Sequence, residues 1–319
     1  MRSILLLVDL EGMVGINSMR ENISRLTQLA SAELHFVISK LCVTGFLDIT
    51  IADIHNGGRV SGTIDFKPYN VKVIQGINNL VSAKDSYDCA IMLGFHGRSN
   101  SGGRFDHTFR LDIEKCFYGN ENIGEVGAYF RWLNLKGISV VMVSGEGDFL
   151  DELKDFPCII HAIKDKPVNT EIIQHEYFCL EHSLNQAIYR IQNERLVVYD
   201  ISRKRVLINV DNLDKYVLLR NCFGNIYMKN FTFDSLEVFF EQIHDFAMSL
   251  NEAEKKIFEI NNRFLNLVKT CNLNEVYGKQ ILHKYLKKDL RNINYLDRMD
   301  ISQKLGLDYE DIIISKAML

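Results

Sequence analysis

The sequence predicts an α/β protein built on a mostly parallel sheet with helices on both faces. Strand-like apolar runs recur along the first half of the chain, and helix-like stretches separate them. Continuous apolar strands that alternate with helices are typical of parallel sheets, because both faces of such a sheet are covered. The 319 residues, 47% hydrophobic and 24% charged, are enough for a sizeable core in one large domain or two ordinary ones.

Four strands and two helices are expected in the first half of the chain. The strands, in order, are SILLLVD, DITIADIH, CAIMLGFH and ISVVMVSGEGD. The stretch SRLTQLASAELHFVISKLCVTG has apolar residues at helical spacing and ends at Gly45, a residue type favoured just past a helix end. The shorter stretch GEVGAYFRWLNLKG predicts a helix bounded by glycines.

The pattern changes from about Thr170 onwards. There EYFCLEHSLNQAIYRIQN predicts a helix, RVLINVDN a strand, and FTFDSLEVFFEQIHDFAMSL a strand that leads into a helix. We therefore predict a catalytic domain over residues 1–165, a smaller second α/β domain over 166–250, and a helical C-terminal extension over 251–319. The extension is rich in lysine and asparagine, and whether it contacts a partner is an open question.

Composition argues against several classes of partner. The net charge of −4 favours neither nucleic acid nor an anionic membrane, and no apolar run is long enough to span a bilayer. DISQKLGLDYEDI resembles part of a helix-turn-helix, but no basic flank accompanies it, so we expect no nucleic acid partner. The seven cysteines are scattered without a C-x-x-C pair, which favours a cytoplasmic protein with reduced thiols.

Acidic and histidine side chains follow the ends of the predicted strands. Asp9 and Glu11 follow the first strand, His55 the second and His96 the third, while Glu125 begins the short helix. In open α/β sheets, ligands bind at the carboxyl ends of the strands. If these strands are parallel neighbours, we expect the five side chains to converge at one edge of the sheet.

This set of side chains favours a metal site. Carboxylates and imidazoles together suit zinc or a related first-row metal better than magnesium, which prefers oxygen ligands alone. Three carboxylates and two histidines are too many for one catalytic zinc, which typically takes three protein ligands. Five ligands fit two zinc ions that share one bridging carboxylate. Taken singly, each residue has a simpler explanation, such as a solvated acid, so the prediction depends on their coincidence.

The motifs VDLEG, ADIH, GFHGRS, DHTF and GEVG resemble, in order and spacing, those of the zinc-dependent D-aminopeptidase family found with dipeptide-transport operons. His107 lies eleven positions after His96, and Glu125 lies eighteen positions after His107. The resemblance covers residues 1 to about 165 and continues more weakly to about 250.

The resemblance implies a role for each matching position. Asp9 bridges two zinc ions, and His107 is a catalytic residue that does not bind metal. The ligands that complete the two coordination spheres are Glu11, His55, His96 and Glu125. It also implies an α/β domain with a smaller second domain, and a ring-like homo-oligomer that encloses the active sites and admits only short peptides.

The sequence departs from the family pattern after the fourth strand, and two alternatives stay open. Two adjacent acids usually follow Ser-Gly there, whereas this chain has Glu146 and Asp148 separated by glycine, and Gly97 replaces a small alanine. Both acids are expected in a loop, and this altered loop leaves the preference for D-residues open.

One alternative function is a magnesium-dependent phosphohydrolase that uses the VDLEG acids, which gives His55 and His96 no role. The other is a catalytically inactive scaffold, which predicts loss of ligands.

Overall fold

The computed structural model describes residues 2–18, 22–55, 58, 61–83, 86–111, 113–163, 170–210, 230–248 and 251. By its internal contacts, the chain divides into a unit of residues 1–209 with 230–244 and a unit of 210–229 with 245–319. Almost all of the second unit lies outside the described residues, as do the stretch that resembles a helix-turn-helix and all but the first residue of the predicted extension. The predicted boundaries at 165 and 250 stay predictions.

The first unit contains two sheets and the helices that cover them. Its strands are β1 (Ile4–Val8), β2 (Ile49–Asp53), β3 (Val71–Gln75), β4 (Cys89–Phe95), β5 (Ile113–Tyr118), β6 (Glu121–Ile123), β7 (Ser139–Glu146), β8 (Ile159–Ile163), β9 (Val206–Val210) and β10 (Asn230–Phe233). Its helices are α1 (Ile23–Val43), α2 (Ile77–Ser82), α3 (Glu125–Leu135), α4 (Leu150–Leu153) and α5 (Thr170–Asn193). A further helix begins at residue 236.

The larger sheet has six strands in the order β3-β2-β1-β4-β7-β8, and its neighbours pair in parallel. This confirms the predicted fold class, with the four predicted strands at the centre of the sheet and β3 and β8 added at its edges. From β1 the chain builds outwards to β2 and β3, then returns to add β4 on the other side of β1. The carboxyl ends of β1 and β4 therefore flank the switch point where open α/β sheets bind ligands.

Both faces of the central strand are buried. Ile4, Leu6 and Val8 belong to a hydrophobic core shared with α1 and α5, while Leu5 and Leu7 are fully buried on the opposite face. Each fully buried leucine stabilises the fold by roughly 2–3 kcal/mol. The alternation explains why β1 is apolar at every position rather than at every second one. No helix in the described part of the chain is long and apolar enough to cross a membrane.

Helix α1 has the boundaries that its sequence predicts. The side chain of Asn22 accepts a hydrogen bond from Ser24 N at 2.8 Å, which caps the first turn. At the other end, Gly45 has a φ of +95°, a conformation that glycine adopts without strain, and its N–H bonds to Cys42 O.

The smaller sheet has the strand order β10-β9-β5-β6, and the β10–β9 and β5–β6 pairs are antiparallel. The sequence predicts β9 and β10, and it misses β5 and β6. The helix that follows β10 contributes Phe239 and Phe240, whose rings pack on Phe109 and Tyr129. Aromatic packing therefore lies next to the segment that carries His107.

Candidate metal centre

The structure brings all six predicted site residues together at the carboxyl edge of the parallel sheet. Asp9 directly follows β1, His96 directly follows β4, and His55 lies two residues beyond β2. Glu125 is the first residue of α3. The remaining two residues, in the loops that follow β1 and β4, are Glu11 and His107.

Asp9 faces two histidines with its two carboxylate oxygens. Its Oδ1 lies 3.2 Å from His55 Nδ1, and its Oδ2 lies 3.6 Å from His96 Nε2. Glu11 Oε2 lies 2.8 Å from His55 Nδ1, and Glu125 Oε1 lies 3.7 Å from His96 Nε2. Two groups of three result, Asp9 with Glu11 and His55, and Asp9 with His96 and Glu125. In each group the donor atoms lie within 4.8 Å of one another.

The donor atoms suit a pair of divalent first-row cations. Asp9 Oδ2 and His96 Nε2 are buried without a hydrogen-bond partner among the described residues. Unpaired buried polar atoms are costly, and they are expected where a protein binds an ion. Three protein ligands per ion is also the number that catalytic zinc typically takes. The side chains therefore fit two zinc ions that share Asp9.

The charges on one side of the centre are balanced by His55. Burial alone would lower the pKa of His55, but hydrogen bonds and charges from Asp9 and Glu11 raise it to about 11. Burial would raise the pKa of Asp9, and the contacts with His55 outweigh it, so this pKa is lowered. The three side chains behave as one ion-paired group.

On the other side of the centre, Glu125 is buried close to two further acids. Burial, together with the charges of Asp9 and Glu11, raises the pKa of Glu125 well above its ordinary value. Burial and the neighbouring His107 lower the pKa of His96 to about 4, so its ring is neutral at pH 7. A neutral imidazole beside crowded carboxylates is the arrangement that a divalent cation stabilises.

His107 lies over this side of the centre. Its ring stacks on that of His96, with centroids 4.4 Å apart, and its Nε2 lies 3.7 Å from Glu125 Oε1. Its Nδ1 lies 2.9 Å from Phe105 O, which fixes the tautomer with Nδ1–H donating to that carbonyl and leaves Nε2 towards the centre. Donor atoms of Glu11, His96 and His107 also lie within 4.8 Å of one another, so distance alone does not separate catalytic base from ligand.

Close backbone approach holds the first ligand loop against β4. Gly12 N–H donates to Gly94 O at 2.8 Å. A Cβ at Gly12 would overlap the carbonyl oxygen of Phe95, so only glycine fits this position. The tight turn after β1 therefore depends on Gly12, one residue beyond Glu11.

Three buried acids outside the ligand set hold the segments that carry the ligands. Glu33 of α1 accepts from Val14 N at 2.7 Å, beyond Glu11 in the same loop. Asp53 accepts from His55 N at 3.1 Å. Glu152 of α4 accepts from Gly124 N at 2.5 Å, next to Glu125. Sequence reasoning missed these acids as supports of the site.

The structure places one of the two acids near the end of β7 differently from expectation. Glu146 is the last residue of β7 and is buried, and it forms an ion pair with Arg104 at 2.5 Å. Asp148 lies in the turn that follows and accepts from Ser101 Oγ at 2.8 Å. Glu146 is therefore not a loop acid, because its strand extends to the edge of the site. Arg104 has no distinctive sequence pattern and was not predicted.

A family model described as D-aminopeptidase matches residues 1–187, more than half of the chain. The chain belongs to the D-aminopeptidase family. Membership confirms the resemblance on which the prediction rested, and with it the predicted enzyme class, a metallo-aminopeptidase that hydrolyses peptide bonds. All five predicted ligand positions and His107 lie within the matched residues.

The fold of this D-aminopeptidase family member is also found in a solved structure. That structure is the Zn-dependent D-aminopeptidase DppA from Bacillus subtilis, described as a self-compartmentalizing protease. The TM-score is 0.63 at 16% sequence identity, and the match covers 78% of this chain and 97% of that chain. At this identity the likeness shows the fold alone. A comparison with curated protein sequences finds no significant match.

Proposed function

We propose that this chain hydrolyses the N-terminal peptide bond of short peptides at a centre of two zinc ions. Asp9 bridges the ions in this proposal. Glu11 and His55 complete one coordination sphere, and His96 and Glu125 complete the other. The observation that supports it most is that one carboxylate, Asp9, belongs to both groups of donor atoms. When bound, the two ions lower the pKa of water to near neutrality and polarise the scissile carbonyl.

His107 supplies proton transfer in this mechanism. Because Phe105 O holds Nδ1–H, the free nitrogen that faces the centre is Nε2. Nε2 accepts a proton from the water molecule that attacks the scissile carbonyl. It then donates that proton to the leaving nitrogen when the amide bond breaks. The stack on His96 keeps the ring in place through both steps.

A centre of two metal ions suits a substrate with a free α-amine. The unprotonated amine nitrogen of the first residue could bind to one of the ions that Asp9, Glu11 and Glu125 would hold, and an acylated amine could not. We propose an aminopeptidase rather than an endopeptidase on this ground. Short peptides are proposed from the family resemblance, and the preference between D- and L-residues is for experiment to decide.

A homo-oligomer that encloses the active sites is proposed as the working assembly. The structural relative DppA is described as self-compartmentalizing, and its fold is similar to that of this chain. Light scattering coupled to size-exclusion chromatography measures the assembly directly. A mass of several chains supports the proposal, and a monomer with full activity on short peptides contradicts it.

The decisive activity experiment compares free and blocked substrates. Zinc-loaded protein is assayed on alanyl dipeptides of each configuration and on the same peptides acetylated at the amine. We expect hydrolysis of the free dipeptides only. Hydrolysis of the acetylated peptides at an equal rate would contradict an aminopeptidase. Cleavage of a phosphate ester with magnesium would favour the phosphohydrolase alternative, and no activity on any substrate would favour the inactive scaffold.

A further inference from the structure

The conformation of the segment that carries His107 depends on contacts with other parts of the protein, which we call anchors. Residues 97–107 follow β4 without forming a strand or helix, and they include three glycines. Asn100 and Gly102 have positive φ values of 64° and 88°. A segment of this kind gains little stability from its own hydrogen bonds, so its conformation depends on contacts with neighbouring elements.

Arg104 provides the first anchor. Its Nε donates to Glu146 Oε1 at 2.5 Å, at the end of β7, and its Nη1 donates to Asn17 Oδ1 at 2.8 Å, in the segment after β1. The side chains of Arg104 and Glu146 are only 17% and 10% exposed. A paired charge at this depth is costly to break, because removing one partner leaves the other buried and unpaired.

Asp148 provides the second anchor. It accepts a hydrogen bond from Ser101 Oγ, and its carboxylate lies so close to the backbone at Gly97 and Gly103 that a Cβ at either position would overlap it. The two departures noted in the sequence, glycine at 97 and an acid at 148, are therefore in contact with each other. Glu146, at the end of β7, and Asp148, two residues later, therefore hold the same segment.

Arg104 is connected to His107 by only two residues of the chain, Phe105 and Asp106. Arg104 precedes Phe105, and its guanidinium lies 5.5 Å from the centre of the Phe105 ring. Phe105 O accepts from His107 Nδ1, so the position of this carbonyl determines the tautomer and the direction of Nε2. Because Phe105 directly follows Arg104, an ion pair that holds Arg104 in place also restricts the position of the Phe105 carbonyl.

We propose that the Arg104–Glu146 ion pair is a positioning device for His107, which keeps Nε2 directed at the reacting centre. The inference rests on the proposed role of His107 in catalysis. Neither residue belongs to the two groups of donor atoms, so we expect the pair to act on the rate of the chemical step rather than on metal binding.

Kinetics of Glu146→Gln and Arg104→Ala test the pair. We expect kcat to fall by about 10- to 100-fold with little change in KM and with unchanged zinc content. Arg104→Lys keeps the charge and should recover part of the loss. Glu181→Gln, which breaks an ion pair between α5 and α1 away from the site, serves as the matched control and should leave kcat unchanged. Loss of zinc in Glu146→Gln, or an unchanged kcat, would overturn the inference.

A double-mutant comparison separates positioning from general damage. In a His107→Ala background, Glu146→Gln should reduce the residual kcat no further, because the pair acts through His107. An equal loss in both backgrounds would overturn the inference. An unchanged kcat in His107→Ala alone would instead contradict the proposed function. If Glu146→Gln does not fold, Asn17→Ser removes a weaker contact to Arg104 and should lower kcat in the same direction.

Discussion

His107 stacks on His96, with ring centroids 4.4 Å apart and planes inclined by 20°. The two rings differ in their polar contacts. The site-facing Nε2 of His96 is buried among carboxylate oxygens, whereas His107 is tied to Phe105 O through Nδ1 and is partly exposed. The proposed roles differ accordingly, with His96 as a ligand and His107 as a residue that moves a proton.

Replacing His107 with alanine should separate these roles. We expect the variant to keep two zinc ions and to lose about 10²- to 10⁴-fold in kcat, the usual contribution of a general acid or base. The measurement is zinc content and kcat on the same preparation. His182→Ala, at an exposed position on α5, is the control and should retain full activity. Zinc loss in His107→Ala would instead make His107 a ligand, an assignment that the donor distances also allow.

Glu33 should make stability depend on pH. It is fully buried in α1, and burial raises its pKa from 4.5 to about 7, although the hydrogen bond from Val14 N lowers it. Because the folded-state pKa is the higher one, its contribution to stability is complete below pH 4.5 and is lost as the pH rises through 7. Glu33→Gln keeps the acceptor for Val14 N and removes the titration.

The effect is measured by urea unfolding of both proteins at pH 5 and pH 8. The free energy of unfolding of Glu33→Gln, minus that of the parent protein, should increase by roughly 2–3 kcal/mol from pH 5 to pH 8. Taking the difference between the two proteins cancels the pH dependence of the other groups, including Glu152. A constant difference between the two pH values would contradict the raised pKa of Glu33.

Gly12→Ala should disrupt the loop that carries Glu11. A Cβ at this position would overlap the Phe95 carbonyl, and rigid backbone on both sides leaves no room for adjustment. We expect a loss of about 3 kcal/mol or more in the free energy of unfolding, together with weaker zinc binding. Gly147→Ala, where the new Cβ makes only ordinary contacts, is the control in the same region. Equal melting temperatures for the two variants would contradict this prediction.

The central strands are predictable because each is a continuous apolar run buried on both faces, as β1 is. The edge strands are not, since Lys72 interrupts the apolar run of β3 and His161 interrupts that of β8. In β5, which belongs to the smaller sheet, Glu114 and Lys115 interrupt the apolar positions. Short strands with charged residues depend on tertiary pairing, which local pattern does not reveal.

The proposed ligands are predictable because they follow strands that lie side by side. Their supports are harder to predict. Glu33 lies on the apolar stripe of α1, four residues after Leu29 and four before Val37, which marks a buried acid without identifying Val14 as its partner. Arg104 lies in a polar segment where no periodicity exists, so only the folded chain reveals its contact with Glu146.

The number of zinc ions per chain tests the central claim most directly. Inductively coupled plasma mass spectrometry is applied to protein purified without chelator or nickel affinity, alongside Asp9→Asn and the exposed control Asp65→Asn. We expect close to two zinc ions in the parent protein and in Asp65→Asn, and loss of both in Asp9→Asn, because one carboxylate serves both groups. One zinc ion or none in the parent protein, or two in Asp9→Asn, would contradict a centre of two zinc ions bridged by Asp9.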